Sequence, residues 1–165
     1  MPEVARTAFL RTEQTNGGAV PILAGPVDLI RDSGYVGRTT VLYVAPGERF
    51  ELGWGPDPEV RLNRFDDRTV EEPGLLGAWT TIDHRIKIWL SHLGAEPRKL
   101  KVRERVPVSE VEKVKVEFDG AHTSPGTVTP DQNGFVTWEL GLKPRSRQQL
   151  ELRYVLKRHK DVTGV

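Results

Sequence analysis

Apolar residues recur at every second position over most of this chain, and this period of two limits the possible folds more than any other feature. In residues 80–93, Ile86 and Ile88 lie in one phase, and Arg85 and Lys87 lie in the other. Such alternation is typical of a β-strand with one buried and one solvated face. The same pattern recurs in residues 100–106, 114–118, 136–142 and 150–156. We therefore predict a chain built almost entirely of β-strands.

Turn-forming residues separate these runs. Asp32-Ser33-Gly34 and Pro46-Gly47 each stand between two runs, and Asn133-Gly134 predicts a tight type I′ hairpin before the next strand. The glycine-rich stretch Gly53–Asp57 predicts a turn or bulge at a strand end. These signals favour an all-β fold, an antiparallel β-sandwich (immunoglobulin-like or related) of about nine or ten strands with little helix. We expect one domain covering residues 1–165.

Composition excludes several classes of function. The chain has no cysteine, which excludes disulfides, thiolate metal sites and a cysteine nucleophile. Its 24 Lys and Arg residues nearly balance 23 Asp and Glu residues, whereas nucleic-acid binders carry a strong basic excess. No apolar run approaches the roughly 20 residues of a membrane span. Residues 1–6 lack the apolar stretch of a signal peptide. We expect no nucleic-acid partner, no membrane insertion and a cytoplasmic location.

The histidines do not form a ligand set for a metal ion. His84 and His92 share one phase, but eight residues of extended strand separate them by about 26 Å. Because His84 alternates with Ile82 and Ile86, we expect a partly buried histidine bonded to the backbone or to a neighbour. No P-loop, dinucleotide fingerprint or nucleophile elbow occurs. We predict no catalytic residues, no metal site and no cofactor.

Acidic residues are concentrated between Glu48 and Glu72, interleaved with four arginines, Arg49, Arg61, Arg64 and Arg68. A calcium site needs several oxygens converging from one loop. The interleaved cations instead favour a solvated strand face with cross-strand ion pairs.

Two features suggest a contact surface. One is a basic run made of Arg98, Lys99, Lys101, Arg103 and Arg105. It suits an anionic partner such as an acidic polysaccharide or protein, or it is simply the solvent face of a strand that resists aggregation. The other is Trp89, in phase with the charged residues of its strand. If Trp89 is exposed, it indicates a binding surface; alternatively, both faces of its strand are covered.

Several short motifs, taken in order, carry a family resemblance. They are Leu23–Asp28, Tyr35–Thr40, Val44–Glu48, Phe50–Asp57, Leu75–Gly77, Val102–Ser109 and Gly134–Leu140. Together they resemble the C-terminal domain of the mucoidy inhibitor A family, a bacterial family. The resemblance implies an all-β domain of unassigned function, preceded in longer relatives by an N-terminal domain and a coiled-coil-like segment. It also implies a fragment or a natural short form that lacks the domain's first strands.

These observations leave three functions open. We expect a non-catalytic protein-interaction or structural (assembly) module, which binds a protein partner or itself through a strand edge or a sheet face. The alternative is a carbohydrate-binding domain that acts on cell-surface polysaccharide. A hydrolase is the third, and it would require a deep pocket with converging carboxylates and a histidine.

Overall fold

The computed structural model describes residues 1–3, 5–31, 33–74, 77–125 and 129–162. Asp32 of the first predicted turn, and Leu75 and Leu76 of the motif at 75–77, lie outside the described residues.

The described residues form strands and contain no helix, so the all-β prediction is confirmed. All of the strand pairs with a defined register are antiparallel. Nine strands are found in the described part of the chain: β1 (Thr7–Thr15), β2 (Gly25–Arg31), β3 (Gly34–Val41), β4 (Arg49–Glu71), β5 (Trp79–His92), β6 (Arg98–Arg105), β7 (Val114–Phe118), β8 (Phe135–Leu142) and β9 (Arg147–His159).

The chain divides into two compact units. The smaller unit is Thr7–Pro58, and the larger unit consists of Met1–Arg6 together with Glu59–Val165. Strand β4 contributes its first part to the smaller unit and its second part to the larger one. That residues 1–165 are a single domain stays a prediction.

In the smaller unit, β2 and β3 form a two-stranded sheet, and β1 lies beside β4. The indole Nε1 of Trp54 donates a hydrogen bond to Thr12 Oγ1 at 2.8 Å and so links β4 to β1. The buried side chain of Asn16 donates to the carbonyls of Val20 and Val44. These bonds fix the loops at one end of the strands, because a buried amide needs such partners.

In the larger unit, β4, β5, β9 and β7 are neighbours in that order in one curled sheet, and β6 pairs with β8 in a second sheet. Both sheets contribute to one apolar core: Leu62, Ile86, Ile88, Leu90, Val102, Val106, Val136, Trp138, Leu150, Leu152 and Tyr154. The core residues of each strand share one phase, as the period of two predicts. Burial of this apolar surface is the main term that stabilises the unit.

The Gly53–Asp57 stretch does not end a strand, so the prediction of a turn or bulge at a strand end is wrong. Strand β4 continues through it for 23 residues. Gly55 has a φ of +84°, a left-handed conformation that glycine adopts without steric cost. The irregularity is therefore absorbed inside the strand.

The type I′ hairpin predicted at Asn133-Gly134 is also wrong. A type I′ turn needs positive φ at both residues, and of these two only Gly134 has one, at +79°. The Asp131 carboxylate accepts the backbone N–H groups of Asn133 and Phe135, each at 2.9 Å. This side-chain bonding fixes a different turn, and β8 pairs with β6 rather than with the strand before it.

Replacing Gly134 with alanine is expected to lower the free energy of unfolding by about 2 kcal/mol. A Cβ at this position would clash with the Val106 carbonyl oxygen, and residues with a side chain rarely adopt the φ of Gly134. Gly141 is the matched control, because a Cβ there meets nothing within 4 Å. Urea unfolding should show Gly141→Ala unchanged or slightly more stable. Equal stabilities for the two variants would contradict this account of the turn.

Candidate functional site

Trp89 lies on the outer face of the large sheet. Its side chain is 47% exposed, so of the two alternatives for Trp89 the exposed one is observed. The register places Asn63 of β4 on one side of it and Gln149 of β9 on the other. The tryptophan therefore stands near the middle of a solvent-facing surface formed by three strands.

The predicted basic run lies on β6, and most of it faces solvent. Lys101 lies 3.6 Å from Glu139 of β8, and the Arg103 guanidinium covers the ring of Phe135 at 4.2 Å. Lys99 and Arg105 are exposed in the same phase. Arg98 is in the other phase, and it forms an ion pair with Glu59 at 3.0 Å.

Trp89 and the basic run do not form one surface. Ile88 of β5 and Val102 of β6 belong to the same core, so the outer faces of these two strands point away from each other. The predicted contact surface is thus divided between two opposite sides of the larger unit. The contact role of each part stays a prediction.

A buried polar network lies on the inner face of the large sheet. His84 Nδ1 lies 3.2 Å from Asp66 Oδ1, and the His84 ring stacks on Tyr154 with centroids 4.5 Å apart. His84 is thus a buried histidine bonded to a neighbouring side chain, one of the two arrangements predicted for it. Burial, with a further contribution from the Asp66 charge, raises the pKa of Tyr154 to about 12. This phenol therefore keeps its proton throughout the physiological range.

The pKa values of two carboxylates in this region are shifted in opposite directions. The side chain of Glu104 is fully buried and pairs with Arg64 at 3.2 Å. Burial raises the pKa of Glu104, although the charge and hydrogen bond of Arg64 oppose the shift. Burial also acts to raise the pKa of Asp66, but hydrogen bonds and charge from Arg68 and His84 outweigh it, so the pKa of Asp66 is lowered.

The solvated strand face predicted around these residues is only partly correct. Asp67 is exposed and pairs with Lys87 of β5 at 2.7 Å, which is a cross-strand ion pair of the expected kind. Arg64 and Asp66, however, point inward, with side chains only 17% and 15% exposed. Their shared phase with the buried Leu62 was the signal that could have revealed this.

An open groove lies beside β7. The segment 106–112 forms one wall and β7 the other, and the groove volume is about 820 Å³. Val108 and Val111 are exposed on the first wall, although both side chains are apolar. Val116 and Phe118 on β7 pack against the core from the other wall. A groove of this size and lining is within the range of ligand-binding sites in proteins.

Hydrogen bonds at both ends of β7 fix which backbone groups face β9. The His159 N–H donates to the Lys113 carbonyl at 2.9 Å, and the Asp119 N–H donates to the Arg153 carbonyl at 3.0 Å. In an antiparallel pair, residues that bond to the partner strand alternate with residues that do not. The bonding phase of β7 therefore consists of the odd-numbered residues.

The even-numbered residues of β7 direct their backbone groups to the other side. Lys115 and Glu117 bond to β9, while Val116 and Phe118 turn their N–H and C=O groups toward the groove edge. In the described part of the chain, β7 has no neighbouring strand other than β9. An open strand edge is a template for pairing with another chain.

Neither a group of metal-ligating side chains nor a membrane-spanning helix is found in the described residues. Within them, no three His, Cys, Asp or Glu side chains are grouped so that they could hold a metal ion. No helix in the same part of the chain is long and apolar enough to cross a membrane.

The described residues define an all-β fold in which β7 forms one edge of the large sheet, beside the groove. The chain belongs to the family described as "Domain of unknown function (DUF4139)", whose model matches residues 5–158. It is similar to "Protein F37C4.5" of Caenorhabditis elegans, with 23% identity over 168 residues that cover 93% of this chain. The chain spans 30% of the length of that relative. No solved structure matches the chain.

Proposed function

We propose that this chain is a protein-interaction module that binds an extended segment of a partner protein as an added strand along β7. The open edge of β7 beside an apolar groove carries this proposal. Strand addition uses main-chain hydrogen bonds for affinity and side-chain pockets for specificity. The edge supplies the hydrogen bonds through Val116 and Phe118, and the groove supplies the apolar contacts.

The length and openness of the site favour an extended peptide over a small molecule. Strand β7 has 5 residues, so it presents an edge about 17 Å long. The groove runs beside this edge and is open to solvent. A peptide strand fills such a site along its length, with alternate side chains directed into the groove.

The charges around the groove indicate the kind of segment that binds. Glu110 and Glu112 are exposed on its rim. The one lysine of the lining, Lys115, places its ammonium group over the Trp79 ring at 5.1 Å. The rim is thus predominantly acidic. The proposal therefore specifies a segment in which apolar residues alternate with lysine or arginine.

We also propose a more specific family relationship and fold for this chain. The ordered motifs support a relationship to the C-terminal domain of the mucoidy inhibitor A family. The core shared by the two sheets of the larger unit supports a sandwich-type scaffold. In this scheme the scaffold holds β7 and its groove rigid, which lowers the entropic cost of binding a flexible segment.

Replacing Val116 with proline is expected to weaken peptide binding at least tenfold. Proline removes an N–H group that faces the groove, and it does not disturb the bonds to β9, which come from the neighbouring residues. The probe is a displayed library of random 12-residue peptides, selected on the wild-type protein. Affinities of the selected peptides are then measured by calorimetry.

Val116→Ala is the matched control, because it removes side-chain volume but keeps the N–H group. It should retain binding within a few-fold. Failure of the library to yield any binder, or equal losses in the proline and alanine variants, would contradict strand addition. Light scattering on the free protein tests the related possibility of self-association. A dimer broken by Val116→Pro would show that the partner is a second copy of the chain.

A further inference from the structure

The outer face of β4, β5 and β9 carries an ordered set of side chains distinct from the β7 groove. One row across the three strands consists of Arg61, Ser91 and Arg147. The next row consists of Asn63, Trp89 and Gln149. Apart from the half-buried serine, all of these side chains are exposed. Two arginines therefore lie beside a tryptophan that has a side-chain amide on each flank.

The following row adds a second aromatic residue. Phe65 stands opposite Lys87 and diagonal to Trp89, and 54% of its side chain is exposed. Diagonal residues on one face of a sheet lie roughly 7–8 Å apart, within reach of aromatic side chains. Phe65 and Trp89 thus extend the apolar platform along the sheet.

This face is much more positive than the chain as a whole, whose net charge is +1. The fourth row consists of Asp67, Arg85 and Arg153. The four rows together hold five cations and two acids, a surplus of three: Arg61, Arg85, Lys87, Arg147 and Arg153 against Asp67 and Glu151. Both acids are already paired, Asp67 with Lys87 and Glu151 with Arg85. In the described part of the chain, Arg61 and Arg147 have no ion-pair partner. The charge available to a ligand is therefore positive and lies beside Trp89.

The spacing of these groups suits a chain of sugar rings. Neighbouring strands lie about 4.8 Å apart, so Arg61 and Arg147 are separated by about 10 Å across β5. Trp89 is two residues away along the strand, a distance of about 7 Å. We propose that an acidic polysaccharide binds here. One of its sugar rings stacks on Trp89, and carboxylates of the polysaccharide pair with Arg61 and Arg147.

The chemistry of the side chains favours this ligand over others. An exposed indole offers a flat apolar face, amides both donate and accept hydrogen bonds as hydroxyl groups require, and arginine pairs with carboxylates through two bonds. A second copy of the chain would bring two positive faces together. A nucleic acid would require a continuous basic track, which the near-neutral chain does not provide.

The test is calorimetric titration of the full chain with polygalacturonate, with dextran as the uncharged control. Polygalacturonate should bind, dextran should not, and the affinity should fall as salt rises, since exposed charges are screened. Trp89→Ala and Arg61→Ser should each weaken binding by roughly tenfold. Both residues are exposed, so unfolding curves close to wild type are expected.

Two controls separate this site from others on the molecule. Arg105→Ser changes the basic run on the opposite side of the unit, and Tyr35→Ala removes an exposed aromatic residue of the smaller unit. Both should bind within twofold of wild type. Absence of polygalacturonate binding, or binding lost in Arg105→Ser and kept in Trp89→Ala, would overturn the proposal. So would equal Trp89-dependent binding of polyglutamate or oligothymidine, which would indicate an acidic protein or a nucleic acid.

Discussion

Replacement of Arg64 with methionine is expected to lower the free energy of unfolding by about 3–5 kcal/mol at pH 7. The side chain of Glu104 is fully buried, and Arg64 at 3.2 Å is the cation that pairs with it. Removal of the Arg64 guanidinium leaves the buried Glu104 carboxylate without the positive charge that pairs with it. Urea unfolding followed by tryptophan fluorescence measures the loss, because Trp138 lies in the same core.

The stability lost in the Arg64→Met variant should be smaller at acidic pH than at pH 7. The pKa of Glu104 is raised above its ordinary value of 4.5 in the folded protein, so the folded state holds this proton more tightly than the unfolded chain. The contribution of Glu104 to stability is therefore greatest below pH 4.5 and is lost as the pH rises through the higher, folded-state pKa. Without Arg64 this pKa rises further, so the difference between variant and wild type should shrink on acidification.

The double variant Arg64→Met with Glu104→Leu provides the control. A well-packed apolar pair can replace a buried ion pair at little cost, so the double variant should recover most of the lost stability at pH 7. A loss in Arg64→Met that is independent of pH, and that Glu104→Leu does not relieve, would show that packing rather than charge is responsible.

Trp138→Ala is expected to lower the free energy of unfolding by a similar amount, about 3–5 kcal/mol. Trp138 is completely buried in the apolar core of the larger unit, and its indole Nε1 donates to the Ser124 carbonyl at 3.2 Å. Truncation removes a large apolar group, leaves a cavity, and deprives that carbonyl of its donor.

The matched control is Trp89→Ala, the same substitution at an exposed position in the same unit. Because surface changes outside special sites usually alter stability by about 0.5 kcal/mol or less, this variant should unfold almost as the wild type does. Urea unfolding of the two variants gives the comparison. Similar losses at both positions would mean that Trp138 does not occupy a well-packed core.

Local patterns predict the strands of this chain well, and their limits are physical. Residues 80–93 alternate so regularly that the predicted strand nearly coincides with β5, Trp79–His92. Strand β4 was harder to predict, because Gly53–Asp57 has the composition of a turn although the chain stays extended through it. Glycine tolerates both outcomes, and only pairing with neighbouring strands decides between them.

The sites depend on contacts between distant parts of the chain. The alternation of apolar and polar residues within one strand carries no information about such contacts. The phase shared with Leu62 could have indicated that Arg64 and Asp66 point inward, but only the position of Glu104 on β6 shows that Arg64 has a buried partner. In the same way, the sequence marks Val114–Phe118 as a strand without showing that it forms a sheet edge. That fact follows from the order of strands, β9 next to β7, which results from the folding of the whole unit.

The length and the charges of β7 are those of an edge strand that resists aggregation. The strand is only 5 residues long, and its solvent-facing side chains are Lys115 and Glu117. Short, charged edge strands resist uncontrolled pairing between copies. A specific partner segment must then contribute apolar contacts in the groove as well as backbone bonds, which is the arrangement that the proposal requires.

Amide hydrogen exchange at β7 tests the central claim most directly. In the free protein, the Val116 and Phe118 amides should exchange much faster than those of Lys115 and Glu117, which bond to β9. A saturating amount of a selected peptide should slow exchange at Val116 and Phe118 and leave the other two nearly unchanged. Equal protection of all four amides in the free protein, or no change at Val116 and Phe118 on binding, would contradict strand addition at this edge.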